Sequence, residues 1–272
     1  MKADARIRVP TRLDALVAAA HIGPAMAVTV LAGLLATAQG LAVGRSALVV
    51  SAVFAGQRSI GWSNDLVDLS RDRRTGRSDK PLVAGSVSVP VVRVACVVAV
   101  LACVALSLAC GLVAGLVHLV CVGAGWAYNL GLKTTVWSWV PYAVAFGGLT
   151  AFVALADSST PPWWWPVGGA LLGVGAHLLN VLPDLDDDAA TGVRGLPHRL
   201  GRRWIAPVAA AVLVTATAVV LLGGSPPLAA ALLAGLVVLA LAAVVVGATG
   251  RRPFVAAIGI ALADAVILVV AR

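Results

Sequence analysis

The sequence predicts an all-α integral membrane protein: a bundle of nine transmembrane helices forming one domain over residues 1–272, with a cytoplasmic N-terminus. Three observations lead there. The chain is 60% hydrophobic and 12% charged, with a mean hydropathy of +0.98, which leaves too little polar surface to cover a soluble globule of this size. Apolar runs long enough to cross a bilayer as helices follow one another at roughly 14–37, 41–64, 86–108, 111–130, 136–156, 162–183, 204–223, 226–248 and 253–271. Basic loop residues alternate with that count, as expected if Lys and Arg are retained on the inner side. Inside fall Lys2, Arg6, Arg8 and Arg12, then Arg71, Arg73, Arg74, Arg77 and Lys80, then Lys133, then Arg194, Arg199, Arg202 and Arg203, then Arg251 and Arg252, leaving Arg45 and Arg272 outside. The net charge of +8 is therefore mostly topology and gives no reason to expect nucleic acid; the basic loops face membrane lipid head groups.

The first run is too long for a cleaved signal peptide and lacks a cleavage site. It carries His21, read as a packed or cavity-facing polar residue, and Pro24, which predicts a kink. The second run passes Gln57 and Arg58, each seven residues before a polar position of the segment that follows. An arginine at membrane depth needs an anionic partner, which makes Arg58 a cavity candidate. Helices three and four carry Cys96, Cys103, Cys110 and Cys121 without any metal-ligand spacing, so these read as small core residues. The fourth ends in Tyr128, Asn129 and Lys133, a pattern shared with interfacial anchors. Trp163, Trp164 and Trp165 follow in an outer loop and read as an aromatic belt. On the sixth run His177 lies one turn before Asn180, making it a second cavity candidate. The last three runs hold little that is polar except Asp264, for which the sequence offers no role.

Two segments concentrate the chemistry. Asn64, Asp68 and Asp72 are spaced four apart, which stacks them on one face of an α-helix; Asn180, Asp184 and Asp188 repeat the spacing. Aligned without gaps, residues 64–81 and 180–197 share eight identities in eighteen positions, where about one is expected by chance, so the chain reads as an internal repeat. The chain has twelve Asp and no Glu, and eight of the twelve lie in these segments. Carboxylates gathered at a membrane boundary repel one another unless cations lie between them. Oxygen-only ligands suit Mg²⁺, which takes part of its shell from carboxylates and from phosphates. Basic loops directly beyond both acidic faces, with Arg77 and Lys80 in the first, complete a site for a lipid diphosphate.

With these residues in view, the chain resembles the UbiA-type intramembrane prenyltransferase superfamily. The likeness rests on Asn64-Asp65-x-x-Asp68-x-x-x-Asp72, on Asp184-x-x-x-Asp188-x-x-x-Gly192, on Asp79-Lys80-Pro81, and on Tyr128 with Lys133. It implies a nine-helix bundle around a central cavity, with a lateral opening for lipophilic substrates and an active site facing the cytoplasm of a multi-pass plasma-membrane protein. It further implies Asn64, Asp68, Asp72, Asn180, Asp184 and Asp188 as metal and diphosphate ligands, with Asp68, Asp72, Asp184 and Asp188 catalytic. Arg77, Lys80, Tyr128 and Lys133 would then hold the diphosphate of an isoprenyl substrate. The chain departs from the pattern at Asn180, where many members have Asp, and at Arg58, which lies six residues before Asn64 instead of seven. The activity expected from the resemblance is Mg²⁺-dependent ionisation of an isoprenyl diphosphate and transfer of the prenyl group to a lipophilic acceptor such as a quinone precursor. The alternatives are a terpene cyclase of the same superfamily and, more remotely, a transporter.

Overall fold

The structure, a computed structural model, describes residues 11–270. Lys2, Arg6, Arg8 and Arg272, counted above in the charge balance, lie outside the described residues. Twelve helices are present among the described residues, and no strand. They are α1 (Arg12–Ala18), α2 (Ile22–Gln39), α3 (Val43–Arg74), α4 (Val89–Ala109), α5 (Leu112–Leu130) and α6 (Val140–Leu155). The second half holds α7 (Trp164–Val181), α8 (Leu185–Ala190), α9 (Leu196–Leu200), α10 (Arg202–Gly224), α11 (Leu228–Gly247) and α12 (Arg252–Val270).

Successive long helices pack as neighbours from α2 to α7 and on through α10 and α11 to α12, and α12 returns against α2. The ring so closed encloses a cavity walled by α2, α3, α5, α6, α7 and α12, while α4, α10 and α11 stay outside that wall. The outermost helices turn apolar side chains outward, among them Val94, Val98 and Leu101 of α4 and Leu232, Leu233 and Leu236 of α11, the reverse of a soluble protein. Seven helices are long and apolar enough to cross a membrane: α2, α4, α5, α7 with its continuation to Ala190, α10, α11 and α12. Of the two that complete the ring, α3 is charged along its last third and α6 has 16 residues, or about 24 Å.

Three expectations are corrected. The first apolar run is two helices, because His21 takes a left-handed conformation (φ 50°) between α1 and α2. Thr11 starts α1 with a capping box to Asp14, and Pro24 falls in the first turn of α2, where a missing N–H costs nothing and no kink results. The second run continues past its apolar part as one helix to Arg74, carrying Asn64, Asp68 and Asp72 together as their spacing predicts. The sixth run breaks: Leu182–Asp184 forms a 3₁₀ turn between α7 and α8, because Pro183 cannot donate to the carbonyl four residues back. The tryptophans also differ from a belt. Trp165 is 7% exposed within the core and Trp164 packs against Gly223, leaving Trp163 facing outward. The four cysteines are buried and unpaired.

Candidate active site

The polar site is built at the end of α3. Residues 65, 68 and 72 follow the helical period on one face, and all three carboxylates are buried. Asp68 is the centre. Lys133, from the 3₁₀ turn after α5, reaches both its oxygens at 2.5 and 2.7 Å; Arg71 Nη2 reaches Oδ2 at 2.9 Å, and the Asn64 amide donates to the same oxygen at 3.2 Å. Burial pushes the Lys133 ammonium below its usual pKa range, and Asp68 opposes the shift.

Arg71 joins the two acidic segments. Its guanidinium lies 2.9 Å from Asp68, 3.8 Å from Asp72 and 3.9 Å from Asp188 of α8. Arg77 grips Asp79 through two bonds of 2.9 and 3.0 Å and stands 3.7 Å from Asp184. Those bonds hold the Asp79 carboxyl below its usual pKa and raise that of Arg77. Lys80 pairs with Asp65 at 2.6 Å, and the His21 Nε2 atom lies 3.0 Å from that carboxylate. His198 stands 4.0 Å from Asp188, and burial lowers its pKa.

The ends of the two segments turn alike. Thr75 Oγ1 donates to the carbonyls of Arg71 and Asp72, and Arg77 N–H to that of Asp72; Thr191 Oγ1 donates to Asp187 and Asp188, and Val193 N–H to Asp188. Gly76 (φ 68°) and Gly192 (φ 84°) take the left-handed step in each turn. Before the turns the segments differ. Val67 keeps α3 continuous, whereas Pro183 interrupts the equivalent stretch with a 3₁₀ turn, so Asn180, Asp184 and Asp188 are wound more tightly than on an unbroken α-helix.

Asn180 instead lines the cavity, donating to the Tyr142 hydroxyl at 3.1 Å, and Asp184 remains 43% exposed. Asn64 and Tyr128 also line the cavity, with Tyr128 edge-on to Tyr142 at 5.3 Å. Neither cavity candidate reaches it. Arg58 is buried on another face of α3, stacked on Trp62 at 4.8 Å and bonded to the Val17 carbonyl at 3.4 Å, so the carbonyl end of α1 serves it in place of an anion. His177 is fully buried behind Tyr142, with ring centroids 4.9 Å apart. Asp65, Tyr142 and Asn129 are not among the site residues expected from the sequence; Asn129 donates to Ile60 O and Ser63 Oγ and accepts from Asn64. Asp65 was detectable, since it stands at the i, i+3, i+7 period with Asp68 and Asp72.

The donor set fits a hard cation. Asp72 makes no side-chain hydrogen bond among the described residues, its nearest cations standing at 3.8 and 4.0 Å, and Asp65 Oδ2 is buried without a partner. Buried carboxylate oxygens without a donor need a positive charge. Among the described residues no three His, Cys, Asp or Glu side chains already enclose an ion, since Arg71 and Lys133 stand between them.

The UbiA prenyltransferase family model matches residues 26–262. No curated protein matches the chain in sequence. A UbiA homologue from Aeropyrum pernix K1, in an apo structure, is 18% identical with a TM-score of 0.74, covering 89% of this chain and 97% of its own. A UbiA homologue from Archaeoglobus fulgidus, bound to GPP and Mg²⁺, is 13% identical with a TM-score of 0.72, covering 94% and 98%. A structure described as digeranylgeranylglyceryl phosphate synthase is 15% identical with a TM-score of 0.66, covering 96% of each chain. At these identities the structures share the fold.

Proposed function

We propose, from the premise that the chain belongs to the UbiA prenyltransferase family, that it ionises an isoprenyl diphosphate within the membrane and transfers the prenyl group to a lipophilic acceptor. One observation carries the reading: two acidic segments meet around Arg71 and Lys133 at the polar mouth of a cavity whose deeper walls are apolar. The same fold in Archaeoglobus fulgidus has been seen with GPP and Mg²⁺, which supports Mg²⁺ here. Asp68, Asp72 and Asp188, with Asn64, Asn180 and Asp184, would hold the metal, which when bound supplies charge neutralisation to the departing diphosphate.

The remaining work falls to the chain. Lys133, Lys80, Arg71 and Arg77 are within reach of the same carboxylates and offer N–H donors to phosphate oxygens that approach them. Leu31, Phe146, Leu172, Ile258 and Leu262 exclude water from the prenyl chain, so that the allylic cation meets the acceptor first. We read nine helices as spanning, with the N-terminus and the acidic mouth on the cytoplasmic side of the plasma membrane, because the basic residues gather at that mouth. A second reading, terpene cyclisation, is favoured by the aromatic faces of Tyr128, Tyr142 and Phe146 in the cavity wall, which suit a carbocation held without an acceptor.

Purified protein incubated with Mg²⁺ and geranylgeranyl diphosphate alone separates the readings. Transfer predicts slow diphosphate release that quickens when a lipophilic aromatic acceptor is supplied, whereas a cyclic hydrocarbon formed without acceptor would establish the cyclase. In either case Asp68→Ala and Asp184→Ala are expected to abolish Mg²⁺-dependent diphosphate release, as is chelation by EDTA, and turnover retained in either variant would refute the site.

A further inference from the structure

Ser138 lies outside both acidic segments, just before α6, and is completely buried. Its hydroxyl oxygen accepts the Leu196 N–H at 3.0 Å and shares a second hydrogen bond of 3.0 Å with His177 Nε2. Leu196 opens α9, directly after the loop that leaves α8; Ser138 N–H donates to the Thr135 carbonyl at 3.2 Å, in the turn that follows the 3₁₀ turn of Lys133. One hydroxyl therefore joins three pieces of chain: the segment just after the turn whose lysine holds Asp68, the α7 helix whose Asn180 lines the cavity, and the loop wound onto Asp188. The contact is close enough to exclude a side chain. A Cβ on Gly195 would fall 2.6 Å from the Lys133 carbonyl oxygen and 2.8 Å from Ser138 Oγ.

A second serine–histidine pair shows what a purely structural bond of this kind looks like. Ser107 and His118, 2.7 Å apart between α4 and α5, are equally buried, yet neither touches a loop of the site. The Ser138 pair differs by its backbone partner. The loop between Asp188 and Gly195 is held at its start by Val193 N–H on the Asp188 carbonyl at 2.9 Å, so fixing its end at Leu196 fixes where α8 stands. His177 Nδ1 is buried without a partner, so the hydroxyl orients that ring as well, and the ring backs Tyr142 in the cavity wall.

We propose that Ser138 is a positioning residue that sets the separation of the two acidic segments, by tethering the loop that follows Asp188 to the segment that follows Lys133. Its kinetic consequence rests on the function proposed above, while the tether itself does not. A hydroxyl that only stabilised the fold would lower stability and leave substrate affinity alone. A tether between the two halves of a diphosphate site acts on affinity, because its loss lets the halves separate before substrate arrives.

The test uses the full-length protein in lipid nanodiscs. In Ser138→Ala, amide exchange in peptides covering residues 191–197 is expected to rise about tenfold, with exchange in α4 and α11 unchanged. The KM for geranylgeranyl diphosphate and the Mg²⁺ concentration for half-maximal rate are both expected to rise about tenfold, with kcat within about threefold of the parent. Gly195→Ala keeps every hydrogen-bonding group but forces the loop outward, and should give the same pattern; if Ser138→Ala does not fold, Gly195→Ala alone decides. Ser107→Ala should move neither KM nor exchange at 191–197. Unchanged exchange at 191–197, or a fall in kcat at constant KM, overturns the proposal. If the parent protein releases no diphosphate, the function proposed above fails, and the exchange measurement still decides the tether.

Discussion

At Asp68 the surroundings determine what the carboxylate can do. Buried beside Asp65 and Asp72 on one face of α3, it would be destabilised by its neighbours without the cations it meets. Lys133 supplies two short contacts and Arg71 one, and the lysine comes from a turn 65 residues away in sequence. Lys133→Met keeps the unbranched stem of the side chain and removes the terminal ammonium. A charge-assisted bond contributes about 1.5–3 kcal/mol, so kcat/KM for the prenyl diphosphate is expected to fall roughly 10- to 150-fold. Steady-state diphosphate release at saturating Mg²⁺ measures it, and a change under twofold would show that Lys133 pairs with Asp68 without acting on the substrate. The spacing of Asn64, Asp68 and Asp72 made this face readable in the sequence. Asp65 belongs to it through the steps of three and four to Asp68 and Asp72, and counting in fours from Asn64 passed over it. Arg58 was misplaced for a related reason: charge at membrane depth was taken to need an anion, and the carbonyl end of α1 meets that need.

At the scale of an element, the two acidic segments show how one proline separates similar sequences. The apolar runs that become helices were legible because burial and the helical period act over many residues at once, so an error at one end leaves the helix standing. Local breaks were less so. His21 turns left-handed at a point where the composition does not change, and long-range contacts such as the Trp62 bond to the Leu16 carbonyl and the Arg58 bond to the Val17 carbonyl distinguish that stretch from a kinked helix. Pro183 was visible as a residue, yet its effect was read through an alignment that placed it opposite Val67. Pro183→Ala restores the missing donor and allows α7 to run on into α8, rotating Asp184 and Asp188 away from Arg77 and Arg71. Misplacement by about 1 Å costs catalytic rate as much as 100-fold, so diphosphate release is expected to drop at least about tenfold. The thermal midpoint should hold or rise, since the helix gains a residue that favours it. Wild-type turnover in Pro183→Ala would mean that the break does not position the second segment.

Over the whole molecule, the ring of helices separates charge from hydrocarbon along one cavity. Its polar wall, formed by His21, Gln57, Asn64, Asn129 and Asn180, adjoins the acidic segments, while Leu31 and Leu262 mark its deep end. From His21 to Leu31 along α2 the rise is about 15 Å, and from Phe254 to Leu262 along α12 about 12 Å, so each wall runs for about two to three helical turns. A prenyl chain that enters diphosphate-first has its reacting carbon at the mouth and its tail among these deep residues, which makes depth a measure of accepted length. Ala261, near the deep end of α12, presents a single methyl group there. Replacing it with Phe fills the floor without touching the acidic mouth, and inserting bulk against a fixed wall costs binding to whatever occupied the space. In Ala261→Phe, kcat/KM for geranylgeranyl diphosphate is expected to fall about tenfold or more relative to geranyl diphosphate, with the Mg²⁺ requirement unchanged. The ratio of the two rates, measured in one preparation, is independent of how much protein is folded. A ratio equal to that of the parent would place the prenyl tail elsewhere, through the side of the ring and not along its depth.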